Sequence, residues 1–119
     1  MSEPAQRPPI ASAPISVLLF AHALSTDTAE ALELWRRYLD TLNRPYEILL
    51  LQETRPEVTV EPPTPTARMR PILYERAVGF RAAVNEAIRA AQYPLVAFAP
   101  CDRQYAPDQL DALFKRIDR

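Results

Sequence analysis

Glycine is almost missing from this chain: Gly79 is the only one in 119 residues. Loops that cradle phosphates, of the P-loop or the dinucleotide-binding type, need several glycines so that the backbone can turn sharply and approach a pyrophosphate. Both motifs are therefore excluded. Cysteine is equally scarce. Cys101 stands alone, which rules out an internal disulfide and any zinc site built from several thiolates, and suits a reducing cytoplasm. No charge of either sign dominates, since 14 basic residues against 15 acidic leave a net charge of −1. No overall field draws the chain to nucleic acid, and no basic run reads as a phosphate-tracking patch. Long apolar runs are absent too; spanning a bilayer takes about 20 apolar residues. The run from Ile15 to Leu24, with Ala21-His22-Ala23, has the outline of a signal-peptide core and cleavage site. The stretch before it holds Glu3 as well as Arg7 and is rich in proline, so it lacks the positive charge of such leaders. A buried strand explains the run better.

What the chain has in excess is proline, 13 residues, nine of them crowded into 4–14 and 56–71. Residues 1–13 have no periodicity and are expected to form a disordered tail that never offsets its ordering entropy. Residues 14–119 are expected to form a single domain with one core, a length that buries roughly two-thirds of the unfolded surface. Ile15–Phe20, Tyr46–Leu51 and Pro94–Ala99 are short, continuous apolar runs, the pattern of strands covered on both faces by helices. Between the first two, Leu32, Trp35, Leu39 and Leu42 recur at spacings of three and four. Ser25, Thr26 and Asp27 offer N-caps, and Glu30 completes a capping box with Asp27. Asn43-Arg44-Pro45 stops that helix. Strand, helix, strand makes a βαβ unit with a right-handed crossover.

Residues 54–71 hold Pro56, Pro62, Pro63, Pro65 and Pro71 and read as an irregular connection, with Ile72–Tyr74 as a short strand. A second helix follows with Ala77, Phe80, Val84, Ile88 and Ala91 on one face. The last helix is expected from Pro107 to Asp118. Pro107 stands near its first position, Asp108 and Asp111 near its positive end, Lys115 and Arg116 near its negative end, and Leu110, Leu113, Phe114 and Ile117 face inward. The fold class expected is α/β: three layers, a mainly parallel sheet with helices on both faces.

In open parallel sheets ligands bind beyond the carboxyl ends of the strands, where loops converge and helix N-termini point at the crevice. That rule selects Ala21-His22-Ala23, Gln52-Glu53-Thr54 and Pro100-Cys101-Asp102-Arg103. Each has a plainer reading as a solvated loop, since such loops are polar in most α/β proteins. His22 is open to two readings, a proton shuttle or metal ligand on one hand and a packed ring on the other. Cys101 is a nucleophile only if a base activates its thiol, and His22 is the one histidine that can serve. A mononuclear metal site from His22, Glu53 and Asp102 is a further possibility. Trp35 reads as core.

The order of these segments resembles the amino-terminal, nucleotide-sugar-binding half of family 2 glycosyltransferases, of the GT-A fold. The resemblance spans roughly residues 14–118. ISVLLFAH (15–22) is similar to the family's first strand, RPYEILLL (44–51) to its second with its lead-in, and GFRAAVNEA (79–87) to its glycine- and asparagine-containing helix. LVAFAPCDRQYAPDQL (95–110) is similar to the strand, Asp-x-Asp turn and following helix, with Asp102, Gln104, Tyr105, Pro107 and Leu110 in register. The resemblance implies a Rossmann-like half domain that binds a nucleoside-diphosphate sugar for glycosyl transfer. Asp102 would lie near the diphosphate and a Mg²⁺ or Mn²⁺ ion, Gln52 and Glu53 near the nucleoside, and Ala21 and His22 beside them. Asn85 would support the loop, with Arg103 or Arg81 replacing part of the cation's charge. The sequence departs from the pattern where function resides: Pro100 replaces the first aspartate, Ala23-Leu24 the Asn-Glu after the first strand, and Gln52-Glu53 the paired acids after the second. The acceptor half and its general base are missing, so the domain is expected to be incomplete or inactive alone, and no residue is assigned a catalytic role. The alternative is a degenerate, non-catalytic interaction domain that pairs with another subunit or with itself.

Overall fold

A computed structural model describes residues 13–24, 26–59, 61–102 and 107. Most of the expected tail at 1–13, Arg103, and the helix expected beyond Pro107 lie outside the described residues. The elements run β1 (Ile15–Ala21), α1 (Thr28–Asp40), β2 (Tyr46–Thr54), β3 (Met69–Glu75), α2 (Phe80–Ala90) and β4 (Leu95–Pro100). All four strands are parallel, in the order β3-β2-β1-β4, so the chain belongs to the α/β class.

The two interior strands carry the continuous apolar runs. Every residue of β1 from Ile15 to Leu19, and of β2 from Tyr46 to Gln52, is buried. Alternate residues divide between two apolar clusters. Ile15, Val17 and Leu19 join Ile48, Leu50 and the α1 residues Ala31, Trp35 and Leu39. Leu18, Leu49 and Leu51 join Ala83 and Ala87 of α2. The side-chain period of two along a strand makes this division unavoidable once both sets are apolar. The edge strands tolerate what the interior cannot: Pro71 sits inside β3 and Pro100 ends β4, where a missing N–H costs no interior ladder bond.

Several boundaries differ from the sequence reading. Helix α1 begins at Thr28, and Asp27 takes the N-cap position without a side-chain capping bond, its carbonyl alone receiving the Ala31 N–H at 3.0 Å. Strand β2 runs on to Thr54 because β3 pairs with it as far as Thr54↔Glu75; β3 itself starts at Met69 rather than Ile72. In α2 the inward line is Ala83 and Ala87, while Ile88 is 52% exposed and Phe80 41%. The methyl side chains let the helix approach the sheet closely, which rotates the larger residues outward. Gly79 precedes α2 at φ +100°, a left-handed conformation that a Cβ would strain. Between β2 and β3 the described residues form no helix; they carry isolated bridges at Arg55↔Val58 and Thr66↔Met69. No helix among the described residues is long and apolar enough to cross a membrane.

Opposite the carboxyl rim, a buried polar cluster closes the other end of the sheet. Ser16 and Glu47 are the second residues of the two interior strands and lie in register. The Ser16 hydroxyl donates to Glu47 Oε2 at 2.6 Å. The backbone N–H of Gln92 donates to the same oxygen at 2.5 Å, and Arg70 reaches Oε1 at 3.3 Å. The Tyr93 N–H donates to Ser16 Oγ at 3.2 Å. One carboxylate thus ties β1, β2, β3 and the lead-in to β4.

Candidate functional site

Strand β1 lies at the point where the strand order reverses, since the chain steps from it to β2 on one side and β4 on the other. In open α/β sheets that switch point is where the loops part and a crevice forms. A hollow of about 240 Å³ lies there, lined by Phe20, Ala21, His22, Tyr74, Pro100, Cys101 and Asp102. The Cys101 N–H donates to the Phe20 carbonyl at 2.9 Å, which holds the turn after β4 against the end of β1. Asp102 and His22 therefore share one wall-and-floor arrangement, as the strand-end rule led one to expect.

Glu53 is the most heavily bonded member of the rim. It lies two residues beyond the Leu51↔Phe20 pair, on the same side of the sheet as His22. Its Oε1 accepts the Ala23 N–H at 3.3 Å and the Arg55 Nε–H at 3.2 Å, and stands 3.6 Å from His22 Nε2. Burial pushes the Glu53 carboxyl upward, but the Ala23 N–H, the Arg55 guanidinium and His22 together outweigh it and leave its pKa below the usual carboxylate value. Glu53 is an anchor for the turn after β1 before it is anything else.

The His22 ring has one unresolved contact. The Leu24 N–H donates to Nδ1 at 3.1 Å, which in a neutral imidazole leaves the proton on Nε2. Arg55 Nη2 approaches that same Nε2 at 3.0 Å, and a guanidinium only donates. A neutral ring satisfies one of these contacts and not both.

Gln52 faces the other way. It is buried, with its amide 3.1 Å from the Glu53 carbonyl and 3.5 Å from that of Ala21. It lines a second hollow of about 200 Å³ with Ala23, Thr28, Ala29, Thr59, Glu61 and Pro63. The rim residues singled out from sequence thus divide between two hollows flanking the end of β1. Asn85 is exposed on α2, five residues along the helix and so about 8 Å down its axis from the N-terminus. Arg81 is exposed at that terminus.

Cys101 is 2% exposed, and its Sγ lies 3.7 Å from the Thr28 carbonyl. Burial, with Asp27 and Asp102 adding to it, pushes the thiol up to about 12. It is a packed thiol and not a nucleophile at neutral pH. Two residues that the sequence reading passed over belong to the site. Arg55 pairs Glu53 and meets His22; its one sequence signal was a cation two places after Glu53. Tyr74 lines the hollow beside His22 as the partner of Glu53 in the β3 register, a placement invisible before pairing is known. Burial raises its phenol pKa, with Glu53 adding to the shift.

Among the described residues, no three His, Cys, Asp or Glu side chains converge as a metal-binding group. A hard divalent cation takes six or more oxygens; Pro100 offers no side-chain oxygen beside Asp102, and Glu53 Oε1 is already engaged by Ala23 and Arg55. The described residues alone do not make up such a donor set.

Family models, curated proteins and solved structures were all compared with the chain. None matches it.

Proposed function

We propose that this chain is a three-layer, GT-A-like domain that binds a nucleoside-diphosphate sugar at the end of β1. The observation that carries the reading is the hollow at the switch point, which His22 and Asp102 both line. The division of alternate strand residues between an α1 cluster and an α2 cluster supports helices on both faces. In this reading the nucleoside lies toward Gln52 and Glu53, and the diphosphate toward Asp102, with Arg55 and Arg103 as the available cations and Ala21 and Asn85 as supports. Each hollow alone is below the roughly 300–1,000 Å³ of a typical small-molecule site, so a ligand would occupy both by crossing the end of β1. In this reading the described residues hold and orient the donor, and no step is routed through a metal. The cytoplasm is the compartment proposed, on the single reduced cysteine.

A second reading is a non-catalytic interaction domain that has kept the sheet and lost the ligand. Pro100 in place of a carboxylate and the engagement of Glu53 by Ala23 and Arg55 favour it. Titration calorimetry with UDP and with GDP, with and without Mn²⁺, separates the two. Saturable heat that Asp102→Ala abolishes supports nucleotide binding. No heat from either nucleotide under either condition would remove it in favour of the second reading.

A further inference from the structure

The crossover from β2 to β3 continues in the direction of the one from β1 to β2, so right-handedness puts both on the same face of the sheet. The first carries α1. The second, rich in proline, forms no helix among its described residues, and a slot of about 570 Å³ lies between it and α1, within the roughly 300–1,000 Å³ of small-molecule sites. One stripe of α1, from Ala29 through Leu32 and Arg36 to Asp40, forms one wall; at spacings of three and four it stays on one face of the helix and is about 16 Å long. Ile48 and Met69, paired in register and buried, lie beneath. Pro63, Ala67 and Arg68 belong to the other wall. Backbone bonds hold that wall in place: Thr66 and Met69 exchange N–H and carbonyl contacts at 2.9 and 3.4 Å, and the Arg68 carbonyl accepts the Ile48 N–H at 2.7 Å.

The two ends of the slot differ. At Ala29 and Pro63 it adjoins the hollow lined by Gln52. At Asp40 it is charged, where ion pairs join Glu33, Arg36, Arg37, Asp40 and Arg68, three cations against two carboxylates. Asp40 is already held by Arg36 at 3.0 Å and by the Tyr46 hydroxyl at 2.6 Å, and Glu33 is held by Arg36 and Arg37. Arg68 joins this group through its longest contact, 3.8 Å to Asp40, with its guanidinium over the Tyr46 ring at 5.0 Å. One positive charge in excess therefore stands at one end of the slot. Apart from Tyr46, whose ring Arg68 overlies, the apolar lining is aliphatic, and Met69 is the kind of side chain that adapts to an irregular occupant.

We infer that this slot binds a small aliphatic carboxylate, its chain lying along Leu32, Ile48 and Met69 and its carboxylate on Arg68. The site is separate from the one read at the end of β1. Titration calorimetry of the full chain with octanoate and decanoate, below micelle formation, and with octanol as the uncharged probe, tests it. Both acids should saturate one site, decanoate tighter by roughly threefold per added methylene, and octanol should bind more weakly than octanoate. Arg68→Ala should weaken octanoate several-fold, since the arginine is partly screened by solvent, and leave octanol unchanged. Ala67→Trp, in the exposed connection, should fill the slot and abolish binding with the amide spectrum still dispersed. Asp102→Ala, which removes nucleotide binding in the reading above, should leave acid affinity unchanged, so either proposal can fail alone. No saturable heat from either acid would overturn the inference. So would octanol bound as tightly as octanoate, an Arg68→Ala affinity equal to the parent's, or a folded Ala67→Trp variant that still binds. Amide shifts of Ile48 and Met69 that move with protein concentration alone would assign the slot to a second copy, and overturn it as well.

Discussion

Replacing Glu47 with alanine removes the one acceptor on which four elements converge. Glu47 is 4% exposed and receives the Ser16 hydroxyl, the Gln92 N–H and the Arg70 guanidinium. With the carboxylate gone, the buried hydroxyl and the backbone N–H lose their acceptor. A hydrogen bond to a charged group contributes about 1.5–3 kcal/mol. Arg70 is half exposed, so its share is largely screened. Allowing for that and for rehydration, the loss should be about 2–3 kcal/mol, or a fall in Tm of roughly 10–20 °C for a domain of this size. Glu47→Gln keeps one oxygen for Ser16 and Gln92 and should cost about 1 kcal/mol. Urea unfolding of Glu47→Ala, Ser16→Ala and the double variant forms the cycle; a coupling energy above about 0.5 kcal/mol marks a shared network. If Glu47→Ala lies within about 0.5 kcal/mol of the parent, as ordinary surface changes do, the cluster does not tie the sheet together and the reasoning fails.

Two titration predictions accompany it. The folded pKa of Cys101 lies above that of a free thiol, so the fold favours the protonated form; its contribution is whole below pH 9.0 and is lost as pH rises toward about 12. Tyr46 and Tyr74 shift the same way. The urea midpoint should fall through that window, less steeply in Cys101→Ala, and native Cys101 should react with a thiol reagent far more slowly than denatured chain; equal rates would contradict its burial. Glu53 is shifted down, so its contribution is present above the usual carboxylate pKa of 4.5 and lost as pH falls below it. Glu53→Gln should flatten this acid limb, and an unchanged acid profile would show that the Arg55 and Ala23 contacts do not persist in solution.

Much of the scaffold is readable in the chain because its signals are local. Three continuous apolar runs announce strands; β1 and β2 are covered on both faces as expected, whereas β4, an edge strand, leaves Val96 and Phe98 partly exposed, and the Leu32–Trp35–Leu39 stripe announces α1 with its buried side correctly turned. The third strand is harder, since Arg70 and Pro71 interrupt it and an edge position forgives both. The face of α2 was misread because Phe80 and Ile88 outweigh Ala83 and Ala87 in hydropathy, whereas close packing selects the small side chains. At the rim, strand ends marked His22, Glu53 and Asp102, but nothing local separates Gln52 onto the other hollow or recruits Arg55 and Tyr74. Ser16 and Glu47 carried a faint signal, each the polar second residue of an apolar run.

The sequence by itself determined where β1, α1, β2, α2 and β4 lie, because periodicity and run length are properties of neighbouring residues; the parallel pairing of β1 with β2 followed from the helix between them. Which polar groups meet was decided only by the tertiary structure. Ser16 finds Glu47 31 residues away and Ala23 finds Glu53 30 residues away through the register of β1 on β2. Register is a long-range choice, and a slip of one residue would turn every such pair onto opposite faces.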